Sequence, residues 1–209
     1  QKYFSALGNL MTAQHFGRFE HHADEAELLR GGLLLSYGAH LEAGRIFERL
    51  IAEGAAPAVR DRAWFYLAKI RYQRGYLDEA EEALTRIGDR LAGTLEGERH
   101  MLHAFLLMQR GRYAEAVERL QRIDKGSSIA RYGRYNLGVA LIRANDEKRG
   151  TALLEQIGRE PADDEEFKAL RDKANVALGF TFLKSGRPDW ARSALERVRL
   201  DGLMSNLAL

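Results

Sequence analysis

Histidine and carboxylate side chains come together at two places in this sequence, and such groups can bind a metal ion. The pair His21-His22 precedes Asp24 and Glu25, but adjacent side chains tend to point apart, which favours a solvated loop ahead of a helix. His100 and His103 lie one helical turn apart, at positions where a helix of this chain packs against its neighbour. We interpret both pairs as structural and predict no metal site.

Two other short motifs have the composition of a reactive or phosphate-binding site. Four consecutive acids begin at Asp163 and follow Pro161, which is typical of a helix start, where carboxylates are stabilised by the positive end of the helix dipole. The segment Gly126-Ser127-Ser128 lacks the lysine and the glycine spacing of a phosphate-binding loop. No nucleophile, base and orienting group share a suitable spacing, so the sequence predicts a non-enzymatic protein without a cofactor.

The composition excludes several further classes. The 209 residues are 45% hydrophobic and 30% charged, which is typical of a globular protein. The formal charge is +2 with interspersed signs, so no nucleic-acid surface is predicted. Cysteine is absent, which excludes disulfides and fits either the cytoplasm or the periplasm. No apolar run approaches the roughly 18 residues of a membrane span, so this segment is not expected to insert into a membrane.

One spacing of residues recurs along the chain. A glycine is followed five residues later by a small residue, then four later by Phe or Leu, then three later by an aliphatic residue. Four copies carry this glycine, a fifth has Asn145 in its place, and an N-terminal half-copy lacks it. The small residues of these copies, in chain order, are Ala6, Ala43, Ala80, Ala116, Gly150 and Ala191.

A second small residue lies seven positions before each glycine or asparagine. These residues are Gly31, Ala68, Ala104, Gly138 and Gly179. Two antiparallel helices pack closely only where small residues lie at their closest approach, so the pattern predicts helix pairs. In each pair the first helix is predicted to end at the glycine, which adopts a left-handed conformation in the turn. One pair cannot bury its apolar faces alone, so neighbouring pairs stack. No alternating strand pattern occurs, and the chain is predicted to be all-α.

These features resemble the tetratricopeptide repeat family over nearly the whole chain. The family has a bulky residue, Leu-Gly and an aromatic residue in its first helix, and small and aromatic residues in its second, with a period of about 34 residues. The second full copy matches through Trp64, Leu67, Ala68, Gly75, Ala80 and Leu84. Four copies depart from the family pattern by placing a polar residue at the bulky position: Glu27, His100, Arg134 and Asn175. The resemblance implies a right-handed α-solenoid of about eleven helices.

The repeats divide the chain into one continuous array. We predict a half repeat at 1–15, full repeats at about 24–57, 61–90, 97–125, 131–159 and 163–200, and the start of another at 203–209. The N-terminal helix carries an apolar face of Tyr3, Phe4, Leu7, Leu10 and Met11, and Leu203, Leu207 and Leu209 lie at the other end. We expect the sequence to be part of a longer array, and expect self-association through these uncapped ends.

The resemblance also implies where a partner binds, because first helices line the concave groove of such arrays. Counted from a start seven residues before each small residue of a first helix, the positions one, four, eight and eleven residues further on face the groove. Two cations lie one position beyond the last of these. The predicted groove residues are Arg62, Phe65, Lys69, Tyr72, Met101, Phe105, Met108, Tyr132, Tyr135, Arg143, Lys173, Phe180 and Lys184. Aromatic residues, methionines and a few cations suit a peptide, although several of these side chains are open to packing against the next helix instead.

The sequence therefore predicts a non-enzymatic scaffold that binds a protein or peptide in this groove. The alternative is a structural component of an assembly, for example a bacterial envelope complex. The family's arrangement of Lys and Asn that clamps a terminal carboxylate is absent from the groove positions, which disfavours the acidic C-terminus of a chaperone as the partner.

Overall fold

The computed structural model describes residues 2–17, 22–88, 91 and 93–208. These residues form twelve α-helices and no strand. In chain order the helices are α1 Lys2–His15, α2 Ala23–Ser36, α3 His40–Ala52, α4 Pro57–Gln73, α5 Leu77–Thr85, α6 Thr94–Gln109, α7 Tyr113–Gln121, α8 Ala130–Arg143, α9 Glu147–Arg159, α10 Glu165–Lys184, α11 Pro188–Leu195 and α12 Ser205–Ala208. The predicted fold class, an all-α solenoid of stacked helix pairs, is confirmed. The repeat boundaries remain a prediction.

The chain falls into two compact units, Gln1–Arg99 and His100–Leu209. In the first unit α2 packs on α3, α3 on α4 and α4 on α5, with Phe47 and Leu50 at the centre of the core. In the second unit α7 packs on α8, and α8, α9, α10 and α11 follow in the same way around Leu154 and Leu178. Within the units, consecutive helices therefore pack against each other from α2 to α5 and from α7 to α11, as expected for stacked helix pairs.

The small residues of the repeat lie at the contacts between paired helices. Ala80 and Ala116 are fully buried, as are the alanines at the matching positions of the full repeats, whereas Ala6 of the half repeat is exposed. A Cβ atom added to Gly31 would lie 2.6 Å from the ring of Phe47. A Cβ atom added to Gly150 would lie 2.7 Å from the carbonyl oxygen of Gly138. The two helices of these pairs therefore approach so closely that only a small residue fits.

Each first helix ends in the same left-handed turn. The residues at this turn have φ between 66° and 80° and are Gly38, Gly75, Gly111, Asn145 and Gly186. The backbone N–H of the residue that follows the turn donates to a carbonyl five residues earlier, as from Arg112 to Leu107 at 2.8 Å. This is the Schellman motif, and asparagine is among the few other residues that tolerate its conformation. The predicted role of the four glycines is confirmed.

Polar residues at the bulky position of the repeat tie helices together. Glu27 on α2 accepts a hydrogen bond from Gln14 on α1 at 2.8 Å and pairs with Arg49 on α3. Arg134 on α8 donates two hydrogen bonds of 2.7 Å to the carboxylate of Glu160. At Glu27 and Arg134, hydrogen bonds and ion pairs thus take the place of the apolar contact of the family pattern, because a polar group withdrawn from water needs a partner.

Asn175 is the most deeply buried of these polar residues. Its side chain has no solvent exposure. Its amide nitrogen donates to the carbonyl of Gly158 at 3.2 Å, and its oxygen accepts from Nε of Arg197 at 2.8 Å. Both its donor and its acceptor capacity are used, which allows an amide to occupy a core position.

Two buried aspartates anchor the loop that follows a second helix. Asp61 accepts from the backbone N–H of Gly88 at 3.1 Å, and Asp172 accepts from that of Arg199 at 3.4 Å. In both cases the donor lies 27 residues further along the chain. Each aspartate lies seven residues before the small residue of its first helix, Ala68 or Gly179, so the same tie recurs in the two units.

Enlarging a small residue at a helix contact is expected to destabilise the fold. We expect Ala80→Leu and Ala116→Leu each to lower the free energy of unfolding by about 1–3 kcal/mol, because the added atoms overpack a filled contact. Glu82→Leu is the control, since Glu82 is exposed on the helix that carries Ala80, and we expect little change. Equal urea midpoints for the three variants would contradict the repeat register.

Candidate functional site

The predicted groove residues of the first unit lie on α4. Arg62, Lys69 and Tyr72 are partly exposed, but Phe65 is only 1% exposed. Its prediction as a groove residue is wrong, because α4 buries residues around most of its circumference and the Phe65 ring packs against Tyr66 at 5.5 Å. The ammonium of Lys69 lies 3.6 Å from the carboxylate of Glu98.

The predicted residues on α6 and on the first half of α8 belong mainly to the core of the second unit. Met101 is buried in a cluster with Ala104 and Leu107, so its prediction as a groove residue is also wrong. Phe105 and Met108 are partly buried against the same cluster. These side chains pack against neighbouring helices, which was the alternative that their apolar spacing left open.

Tyr132 and Tyr135 on α8 are also partly buried against the core. The hydroxyl of Tyr132 donates to the carboxylate of Glu166, and this hydrogen bond is the main reason why its pKa is raised to about 12. Burial raises the pKa of Tyr135. Both phenols therefore stay protonated at neutral pH, and Tyr132 is already engaged by a side chain of its own unit.

Three predicted residues do converge on one cleft in the second unit. Arg143 at the end of α8 and Phe180 and Lys184 on α10 line an open cleft of about 660 Å³. We call this the first-helix cleft, and a volume of this order is typical of binding sites. Phe180 is 53% exposed. Lys173 is exposed on the same helix but does not line the cleft.

The first-helix cleft combines an apolar wall with two available cations. Val139 and Ile142 form its apolar side. Arg143 and Lys184 make no ion pair with any residue that the structure describes. The acid that lines the cleft, Glu147, is engaged by the hydroxyl of Ser185 at 2.7 Å and by Arg187. The charge left for a ligand is therefore positive.

Sequence reasoning missed part of this lining. Val139 and Ile142 lie eight and eleven residues after the start of the fourth repeat, so the groove offsets applied to that copy would have found them. Tyr113 lies at the start of α7, a second helix, and no repeat position marks it.

As far as the structure describes them, the histidine pairs and the run of acids that begins at Asp163 occupy exposed, buried or helix-capping positions. His21 lies outside the described residues, and His22 is exposed with Nδ1 3.9 Å from the carboxylate of Glu25. His100 is buried. Within the described parts of the chain, no group of three or more His, Asp or Glu side chains is placed to hold a metal ion. Asp164 caps α10 by accepting from the backbone N–H of Phe167 at 2.6 Å, as expected for acids at a helix start.

The helices that the structure describes include no candidate membrane span. None of these helices combines the length and the apolar character that crossing a bilayer requires.

The fold and the cleft define a helical-repeat protein of the binding-scaffold class. The sequence profile of the family described as tetratricopeptide repeat matches residues 107–174. The chain has the fold of that family. Such proteins are in general non-enzymatic scaffolds for protein–protein interaction.

Solved structures with similar folds cover most of the chain. YrrB, a TPR protein with an unusual peptide-binding site, has a TM-score of 0.68 at 14% identity over 92% of this chain and 94% of its own. BtubC from P. vanneervenii has a TM-score of 0.65 at 18% identity over 93% and 87%. MamA has a TM-score of 0.62 at 15% identity over 80% and 91%. At these levels of sequence identity, the similarity establishes a shared fold only. No curated protein matches the sequence.

Proposed function

We propose that this scaffold binds a protein segment in the first-helix cleft, and that the segment carries carboxylates beside an apolar side chain. The observation that carries the proposal is the convergence of Arg143, Phe180 and Lys184 on one cleft. Phe180 is a large, exposed aromatic residue of the type that dominates binding energies. The two cations lack partners in the described structure, and they favour an acidic ligand.

The test is selection of binders from a random peptide display library, followed by affinity measurements on synthetic copies. We expect enriched peptides to combine Asp or Glu with an apolar residue. Phe180→Ala should weaken binding about tenfold, since truncating an anchor of this kind costs at least 1.4 kcal/mol. Arg143→Gln and Lys184→Gln should each weaken it a few fold, and rising salt should do the same.

Lys173→Gln is the matched control for these variants. Lys173 has the same charge as Lys184 and lies exposed on the same helix, outside the cleft. Binding that falls equally in Lys173→Gln and Lys184→Gln would reflect net charge alone. The use of this cleft would be refuted if Phe180→Ala left the binding of every enriched class of peptide unchanged.

A second proposal is a structural role in a larger assembly, such as a bacterial envelope complex. Apolar side chains at the C-terminal end of the second unit support it. Leu183, Leu200, Leu203 and Leu207 are all more than half exposed. Leu183 and Leu200 line one open cleft, and obligate interfaces bury exposed apolar surface. A permanent apolar interface would be insensitive to salt, unlike binding in the first-helix cleft.

The same leucines predict self-association in solution. We expect the apparent mass from light scattering to rise with protein concentration, because association removes the exposed leucines from water. The double change Leu200→Glu and Leu203→Glu should abolish the rise. Leu41→Glu is the control, since Leu41 is a single exposed leucine on α3. A wild-type protein that stays monomeric at every concentration would contradict this prediction.

At the N-terminal end the expected apolar face is partly covered. Leu10 is buried, and Met11 is 50% exposed. Tyr3 and Phe4 lie outside the residues whose side chains the structure describes. The proposal of association through the ends therefore depends mainly on the C-terminal leucines.

A further inference from the structure

Trp190 stands out among the second helices of the repeats. It lies on α11, directly before the small residue of the fifth repeat, and it is 61% exposed. The other full repeats carry an exposed charged residue at this position: Glu42, Glu79, Glu115 and Arg149. A tryptophan at a solvent position exposes a large apolar area that folding does not use, and tryptophan is the residue most enriched at the centres of protein interfaces.

Two further departures from the repeat open a cleft beside Trp190. Ala152 on α9 and Ser193 on α11 lie two residues after the small positions of their repeats. The other full repeats have a long charged residue there: Arg45, Glu82 and Glu118. Together with Trp190 these small residues line a cleft of about 470 Å³ between α9 and α11, with Phe182 of α10 also in its lining. We call it the second-helix cleft.

The indole of Trp190 is held in position rather than loose. The centroids of the Trp190 and Phe182 rings lie 5.5 Å apart in a T-shaped contact. The guanidinium of Arg187 lies 5.6 Å from the Trp190 ring centroid and 4.9 Å from that of Phe182. Such contacts fix the side chain before a partner arrives, so less conformational entropy is lost on binding.

The charges around the second-helix cleft are mostly positive. Lys148, Arg159 and Arg197 line it, against one acid, Glu155. Glu155 already accepts from Arg159 at 2.6 Å and from Arg197 at 2.9 Å. Lys148 has no ion-pair partner in the described part of the chain. A ligand with carboxylates would therefore complement the cleft, and a basic ligand would be repelled.

We propose that the second-helix cleft is a second binding site, which takes a protein segment that presents an apolar side chain flanked by carboxylates. The apolar side chain packs on Trp190 and Phe182 above Ala152, and the carboxylates meet Lys148 and the two arginines. The site is lined by second helices and does not require binding in the first-helix cleft, whose lining shares no residue with it.

The repeats themselves supply the test variants. Trp190→Glu and Ala152→Glu each install a residue type found at the same position in other repeats, and both positions are exposed on helices. We expect peptides enriched from a random display library to include a class with an apolar residue between acids. Its binding should fall about tenfold or more in either variant and should not change in Phe180→Ala.

Fluorescence gives an independent readout of the same site. In a Trp64→Phe background Trp190 is the remaining tryptophan, and the peptide should shift its emission to shorter wavelength as the indole leaves water. Circular dichroism of each variant shows whether the fold is retained. The proposal is overturned if no acidic peptide is enriched, if enriched peptides are basic, or if every enriched class of peptide binds Trp190→Glu and Ala152→Glu as well as it binds the wild-type protein.

Discussion

Asp172→Ala is expected to lower the free energy of unfolding by about 3 kcal/mol, the lower end of the range for breaking a buried ion pair. The carboxylate is 1% exposed and accepts from Nε of Arg199 at 2.8 Å and from the backbone N–H of the same residue. Alanine removes both acceptors and leaves the backbone N–H without its partner. Arg199 also donates to Glu165 at 2.8 Å. Because the variant retains this bond, we do not expect a larger loss in the free energy of unfolding.

The measurement is a urea titration followed by hydrogen exchange of the residues after α11. Exchange should rise first there, because Asp172 anchors this loop. Asp163→Ala is the control, since Asp163 is an exposed acid ahead of the same helix. Asp172→Asn keeps the shape and one acceptor, so its loss should be intermediate. A stability equal to that of Asp163→Ala would show that the buried pair contributes nothing.

Gly150→Ala is expected to destabilise the second unit by a comparable amount, about 3 kcal/mol, at the upper end of the usual range for overpacking. The added methyl group would lie 2.6 Å from Cγ1 of Ile142, 2.7 Å from the carbonyl oxygen of Gly138 and 2.9 Å from the backbone nitrogen of Ile142. Two of these three atoms are backbone, so α8 and α9 must move apart, and a side-chain rotation does not relieve the contact.

Gly32→Ala is the control, and we expect it to raise the free energy of unfolding, whereas Gly150→Ala should lower it. Gly32 lies inside α2, and a Cβ atom there meets nothing within 4 Å. Alanine loses less backbone entropy on folding than glycine, so we expect a gain of about 0.5–1 kcal/mol. Differential scanning calorimetry of both variants tests the pair. If Gly150→Ala were also stabilising, the close approach of α8 and α9 would not exist in solution.

The repeat spacing predicted the helix pairs and their turns because both depend on local requirements. A left-handed turn needs glycine or asparagine, and a close helix contact needs a small side chain, so Gly38, Gly111 and Asn145 and the buried alanines can be recognised one residue at a time. Burial of the groove residues is not local. Phe65 and Phe180 were both predicted to face the groove, yet one is 1% and the other 53% exposed.

The sequence by itself determined the all-α class, the turns and the small contact positions, since each follows from the conformational limits of single residues and from helical periodicity. Tertiary structure alone decided which apolar side chains remain accessible, because accessibility depends on what the neighbouring helices cover. It also decided the pairing of the charges. Glu147 and Glu155 are held by arginines while Arg143, Lys184 and Lys148 are left without partners among the described residues. The distances that create this imbalance arise only when helices far apart in the chain pack together.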